Sequence, residues 1–199
     1  MDSVPVASEK TVRVGPFVNL ARLMRSLGCA PEPVFEATGF HISEFADPDH
    51  RINFLQASQL LKRCVEITGC DHLGVILGEQ SCPSHLGIAG FILKTAPTVE
   101  VALQSLVHNL DLHDTGGIAS LDVGPDFTSL KYSLHLPETV AREQIYDLSA
   151  AMMYQILRMI CGKNWRASSI SIERRKPGDI APYRRFFATQ LYFDATESA

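Results

Sequence analysis

Ile118-Ala119-Ser120-Leu121-Asp122-Val123-Gly124-Pro125-Asp126-Phe127-Thr128-Ser129-Leu130-Lys131-Tyr132-Ser133-Leu134 reads as two strands around a turn. Gly124-Pro125-Asp126 is turn chemistry. In the second strand Leu130, Tyr132 and Leu134 alternate with Ser129, Lys131 and Ser133. Only an extended segment with one face buried needs that period of two. Directly downstream, Pro137-Glu138 opens the longest helical pattern of the chain, running to about Ile160. Its core stripe is Ile145, Leu148, Met152, Ile156 and Met159, and Gly162 ends it. A half-buried hairpin feeding a long amphipathic helix sets the class as α+β.

Outward from this unit, Pro97-Thr98 starts a helix with Thr98 as N-cap and Glu100 in the first turn, where the helix dipole favours an acid. Its expected stripe is Val99, Ala102, Leu103, Leu106 and Leu110. The apolar run from Gly87 to Leu93 is read as a buried strand, although periodicity alone does not separate it from a helix. Ile170 to Glu173 alternates as a strand, Pro177-Gly178 is a turn, and Ile180 to Ala188 a short helix. Upstream, helical spacing marks Phe17 to Leu27 before Gly28, Pro33 to Thr38 before Gly39, and Leu55 to Thr68 before Gly69. The expected architecture is a helical part over 16–80 followed, over 85–195, by a mostly antiparallel four-stranded sheet with helices packed on one face. Both parts are read as one domain, 16–199, preceded by a loose leader over 1–15.

Composition bounds the function. The 199 residues are 46% hydrophobic and 20% charged, enough for a sizeable core. No run approaches the roughly 18 apolar residues of a membrane span, and the first residues lack the apolar centre of a signal peptide, so cytoplasmic residence is expected. The net charge of −4 argues against a domain that grips nucleic acid by itself. The densest basic run, Arg174-Arg175-Lys176, is read as a solvated strand end. Five cysteines, odd in number and irregular in spacing, give neither a disulfide framework nor a zinc site; Cys82, in Ser81-Cys82-Pro83-Ser84, stands out for reactivity. In His108-Asn109-Leu110-Asp111-Leu112-His113-Asp114 the two histidines lie about 140° apart on a helix, so a capped helix end explains them better than a metal site. Glu138, Glu143 and Asp147 read as a solvated helix face. Nucleophile elbows and phosphate-binding glycine loops are missing, so no catalytic residue, metal or cofactor is expected.

From about residue 86 to 195 the order of short elements resembles the N-terminal effector-binding domain, of the type often called arabinose-binding, of AraC-family transcription regulators. The elements are Leu86-Gly87-Ile88-Ala89-Gly90, Thr95-Ala96-Pro97-Thr98 with Ala102-Leu103, Leu110 to Gly116, Gln144 to Leu148, Ile156-Leu157-Arg158, Cys161-Gly162, Trp165, Pro177, Asp179, Pro182 to Phe187 and Phe193-Asp194. The helical start, with Ala37-Thr38-Gly39, fits as well. Arg174, where the family often has His, and Ala188-Thr189, in place of Gly-x-Pro, depart from the pattern.

The resemblance implies a non-catalytic sensor that binds a small-molecule effector between the sheet and the long helix. It would act as a homodimer and control DNA binding through a C-terminal helix-turn-helix domain absent from this chain. The expected pocket-lining residues are His113, Tyr132, Tyr146, Tyr154 and Gln155, with Arg174 pairing an anionic effector. Arg175 or Lys176 would serve a partner surface. The rival reading is a ligand-free dimerisation or protein-interaction module.

Overall fold

The structure, a computed structural model, describes residues 10–196 and 198. Its order is β1 (Thr11–Arg13), α1 (Leu20–Ser26), α2 (Glu32–Ala37), β2 (Arg51–Asn53), α3 (Phe54–Thr68), α4 (Leu73–Glu79), α5 (Ile88–Thr95) and α6 (Val99–His108). Then follow β3 (Gly117–Val123), β4 (Thr128–Leu134), α7 (Arg142–Cys161), β5 (Ser169–Ser171), α8 (Ala181–Phe187) and β6 (Gln190–Tyr192). The class is α+β, as the hairpin and long helix require.

Helix α7 is the axis of the molecule. Gln144, Ile145, Tyr146, Asp147, Leu148, Ala150, Ala151, Met152, Tyr154 and Ile156 are all buried, so more than one face is covered. It begins at Arg142 rather than 138, after irregular backbone over residues 137–141. Of the expected stripe, Met159 alone stays exposed, at 37%. Helix α4, which sequence patterning passed over, lies directly on α7. A Cβ at Gly74 would sit 2.2 Å from the Gln144 carbonyl oxygen, and one at Gly78 2.4 Å from Ala151 Cβ. Two glycines four apart thus present one bare stripe, and the two backbones meet across it.

Local signals set the other helix ends. The Asn53 side chain accepts from the Gln56 N–H at 2.9 Å, capping α3. Gly69 ends α3 at φ 65°, a left-handed conformation glycine reaches without a Cβ clash. Thr98 caps α6 as expected, accepting from Val101 N–H at 3.2 Å; Val99, however, remains 38% exposed.

Three expectations are corrected. The run from 87 to 93 is helical rather than a strand: 88–93 lie in α5, and Gly87 precedes its first turn. Ala89 and Leu93, four apart, turn inward, while Ile88 and Phe91 stay 64% and 68% exposed and blur the helical stripe in the sequence. The leader expected over 1–15 is not loose where it is described: Val12 and Val14 are buried, and Thr11–Arg13 pairs with β2. Residues 1–9 lie outside the described residues. The four-stranded sheet is replaced, among the described residues, by three two-stranded ribbons: β1-β2 and β3-β4 antiparallel, β5-β6 parallel. Single bridges stitch them, Val12 to Asp114 and Tyr132 to Ser198. These strands are only three residues long, apart from the seven-residue hairpin strands, too short to extend one ladder.

One apolar core runs from Val12 through α1–α4 and α7 to Phe187, and a second, smaller cluster joins α5, α6, Leu130 and the far side of α7. No helix among the described residues is long and apolar enough to cross a membrane.

Candidate functional site

Helix α7 carries a second stripe beside its core stripe: Ala150, Met153, Tyr154, Leu157 and Cys161, spaced three, one, three and four apart. This stripe floors a cleft of about 790 Å³. Leu121, Leu130 and Phe127 of the hairpin form one wall. Trp165 and the strand Ser169–Ser171 form the opposite wall, and Val99, Glu100 and Leu103 of α6 close one end. The strand residues on its two walls, from the β3-β4 hairpin and from β5, belong to separate ribbons among the described residues.

The surroundings of Tyr154 are built by aromatic packing. Its ring centroid lies 5.9 Å from that of Trp165, 5.5 Å from Phe186 and 5.4 Å from Phe187. Its hydroxyl donates to the Phe187 carbonyl at 2.8 Å, which satisfies the polar tip and presents the ring. Trp165 follows the helix-ending Gly162, whose carbonyl accepts from the Trp165 N–H at 3.0 Å.

The six residues expected to line the pocket are not gathered in this cleft. Tyr154 lines it. His113 and Tyr132 line a separate, small cavity of about 30 Å³, room for water-sized groups only. There Tyr132 donates to Asp114 Oδ2 at 2.6 Å, and the Gly116 N–H donates to Oδ1 at 2.6 Å. Burial pushes the Asp114 carboxyl up, against the pull of these donors. Burial, with Arg13 and Arg51 nearby, pushes the His113 imidazole down to about 3, so the ring is neutral. The His108–Asp114 segment thus serves as a junction: the His113 carbonyl accepts from Arg13 N–H, and Asp114 bridges Val12.

Tyr146 faces away from the cleft, accepting from Arg142 Nη2 at 3.1 Å and stacking edge-on against Tyr132. Gln155 donates to the Glu79 carbonyl at 2.7 Å, tying α7 to the end of α4. Arg174, read from sequence as part of a solvated run, is 4% exposed. Its guanidinium grips Asp147 and Tyr183 through Nη1 and both Asp71 oxygens through Nη2, at 3.1 and 3.2 Å. Asp147, read as solvated, is fully buried. Burial raises its carboxyl above the usual range, against Arg174 and the Tyr183 hydroxyl, which donates at 2.6 Å. These two residues correct each other: a buried arginine and a buried aspartate form one internal pair. Arg175 and Lys176 do stay exposed.

Sequence reasoning missed Trp165, Phe127 and Leu103 as cleft residues. The chain's single tryptophan, just past a helix-ending glycine, was a usable signal. All five cysteines are free; Cys64 and Cys70 are buried, the Cys64 thiol is pushed up to about 12, and Cys82 is exposed. No cluster of metal-ligating side chains occurs among the described residues.

Two comparisons bear on this α+β arrangement. The profile described as the arabinose-binding domain of AraC transcription regulators, N-terminal, matches residues 28–199. The fold is similar to the crystal structure of the transcriptional regulator CdpR from Pseudomonas aeruginosa, with TM-score 0.57 and 19% identity over 88% of this chain. The match spans 56% of that chain, little more than half its length. No curated protein matches in sequence. The chain belongs to the family of N-terminal arabinose-binding domains of AraC transcription regulators.

Proposed function

We propose that this chain is the sensing domain of an AraC-type transcription regulator, and that a small-molecule effector occupies the cleft between the hairpin and α7. The observation that carries the reading is the cleft itself: about 790 Å³, within the range of small-molecule sites, in a member of a regulatory family. The net charge of −4 fits a half that senses rather than one that holds phosphates. Of the residues expected from sequence, Tyr154 keeps its place in this proposal; the other five act on the fold that frames the site.

An effector works as a switch only if it binds one conformation better than another. The cleft has two walls, the β3-β4 hairpin and the 165–171 segment, that share no ladder, so a ligand touching both favours the arrangement in which they approach. That shift would pass to a DNA-contacting domain. A thermal-shift screen of the chain against amino acids, sugars, fatty acids and aromatic acids tests the reading. A hit raises the midpoint with concentration, by about 2.7 kcal/mol of stability at a hundredfold excess over Kd. A blank across all classes with a folded chain sinks it.

The second reading, a ligand-free dimerisation module, draws on α5. Ile88 and Phe91 are 64% and 68% exposed on one side of a helix whose other side is packed. Sedimentation equilibrium separates it: a dimer that Phe91→Glu dissociates, together with a blank ligand screen, favours the module.

A further inference from the structure

The cleft also limits the chemistry of what enters it, and this inference rests on the effector reading above. Its floor and much of its walls are apolar or aromatic, with Leu103, Leu130, Met153, Leu157, Tyr154 and Trp165, while Thr128, Ser129, Ser168, Ser169 and Ser171 bring uncharged hydroxyl side chains to the walls. The Tyr154 hydroxyl on the floor is already bonded to the Phe187 carbonyl. The charged side chains that line the cleft are Glu100, Asp126 and Arg166, all of them exposed. Arg166 turns its guanidinium onto its own loop, donating to the carbonyls of Lys163 at 3.0 Å and Trp165 at 2.8 Å. Glu100 accepts from Gln104 Nε2 at 3.2 Å, one helical turn along α6. The floor of the cleft therefore carries no charged side chain, and the charged lining holds two acids against one arginine. At the rim, Val123 and Phe127 flank the hairpin turn, 68% and 69% exposed, and line the opening. A ligand body seated on the floor would cover them.

We propose that the cleft selects a largely apolar, ring-bearing molecule that is neutral or cationic and discriminates against anions of the same shape, with Phe127 closing over its outer edge. Burying an apolar body against such a floor supplies the affinity. A carboxylate or sulfonate would meet two acidic side chains and one arginine already bonded elsewhere.

Two fluorescent probes share one skeleton and differ in charge: N-phenyl-1-naphthylamine, neutral, and 8-anilino-1-naphthalenesulfonate, anionic. Trp165 is the only tryptophan of the chain and stands in the cleft wall, so a probe bound there quenches it by energy transfer, and the cleft variants below separate this site from others within transfer range. The neutral probe is expected to bind saturably, one per chain, quenching Trp165, at least about tenfold more tightly than the sulfonate. Phe127→Ser, on an exposed side chain that the fold does not need, is expected to weaken the neutral probe several-fold. Leu157→Lys should abolish binding while the circular dichroism spectrum is kept. Equal or tighter binding of the sulfonate overturns the charge selection. Saturable binding that leaves Trp165 unquenched, or no binding of either probe, overturns the site. A polar metabolite that raises the thermal midpoint of a chain deaf to both probes would leave sensing intact and remove this inference alone. A blank in both experiments removes the two together.

Discussion

His113 is 3% exposed, in contact with a cavity too small for an organic molecule, and its ring is neutral. Its imidazole is held down to about 3 in the fold, against 6.5 in the unfolded chain. As pH falls below 6.5 the unfolded chain takes the proton first. The stability that His113 contributes is therefore complete above about pH 6.5 and is lost progressively toward pH 3. The nearby Asp114 and the more distant Asp147 act in the opposite sense. Their carboxyls are raised by burial, so the folded chain takes those protons first and gains stability as pH falls. The test is thus a difference. Urea unfolding at pH 7 and pH 4.5 should show His113→Asn losing less stability than the parent over that interval, by on the order of 2 kcal/mol. Equal losses in both proteins would mean that the buried ring is protonated as easily as a free one.

The same residue shows where sequence reading stops. His113, Tyr132 and Tyr146 look like ligand contacts because they are polar-tipped residues beside a predicted hairpin and helix. Whether a tyrosine tip faces a cleft or a buried aspartate depends on a partner far along the chain: Asp114 is eighteen residues from Tyr132. Arg174 and Asp147 are likewise satisfied by each other across a separation of 27 residues. Local pattern carries no register for such pairs, so both were read as solvated. Tyr154 lines the cleft because helical spacing puts it one stripe over from the core stripe.

At the scale of elements, pattern reading worked where one face is buried and one solvated, as in β4, α3 and α6. It failed for α4, seven residues with Gly74 and Gly78 in them, because glycine lowers helix propensity and hides the period. Those glycines are there for contact rather than for conformation. A methyl at Gly74 would enter the Gln144 carbonyl, so Gly74→Ala must push α4 off α7. Overpacking of this kind costs roughly 1–3 kcal/mol, offset in part by alanine's better helix propensity of about 1 kcal/mol. For a chain of this size each kcal/mol lowers Tm by about 2–4 °C. Gly74→Ala should therefore lower the midpoint by several degrees, whereas Gly178→Ala, with nothing within 4 Å of the added Cβ, should leave it within about a degree. Calorimetry of the two variants reads this directly, and equal midpoints would contradict so close an approach of the helices.

For the whole molecule the question is whether the helical part over 16–80 and the α+β part over 85–195, read from sequence as one domain, fold as one unit. The packing argues for one folding unit. The main core joins Leu20, Met24, Phe35 and Leu61 from the first part to Tyr146, Ala151, Ile172 and Phe187 from the second. Arg174 reaches Asp71 across 103 residues, and Gln144 donates to the Asp71 carbonyl at 2.8 Å while accepting from Gly74 N–H at 2.9 Å. Removing residues 10–80 would uncover most of the buried circumference of α7 and leave the Asp147–Arg174 pair open on one side. A fragment covering 85–199 should therefore lack a cooperative transition. In the intact chain, Trp165 fluorescence reports the second part, and far-UV circular dichroism is weighted by helices of both. The two signals should fall together in urea, at one midpoint and with one slope. Separate midpoints would instead give the cleft a folding unit of its own, and the helical start would then act as a neighbour that the sensing half could do without.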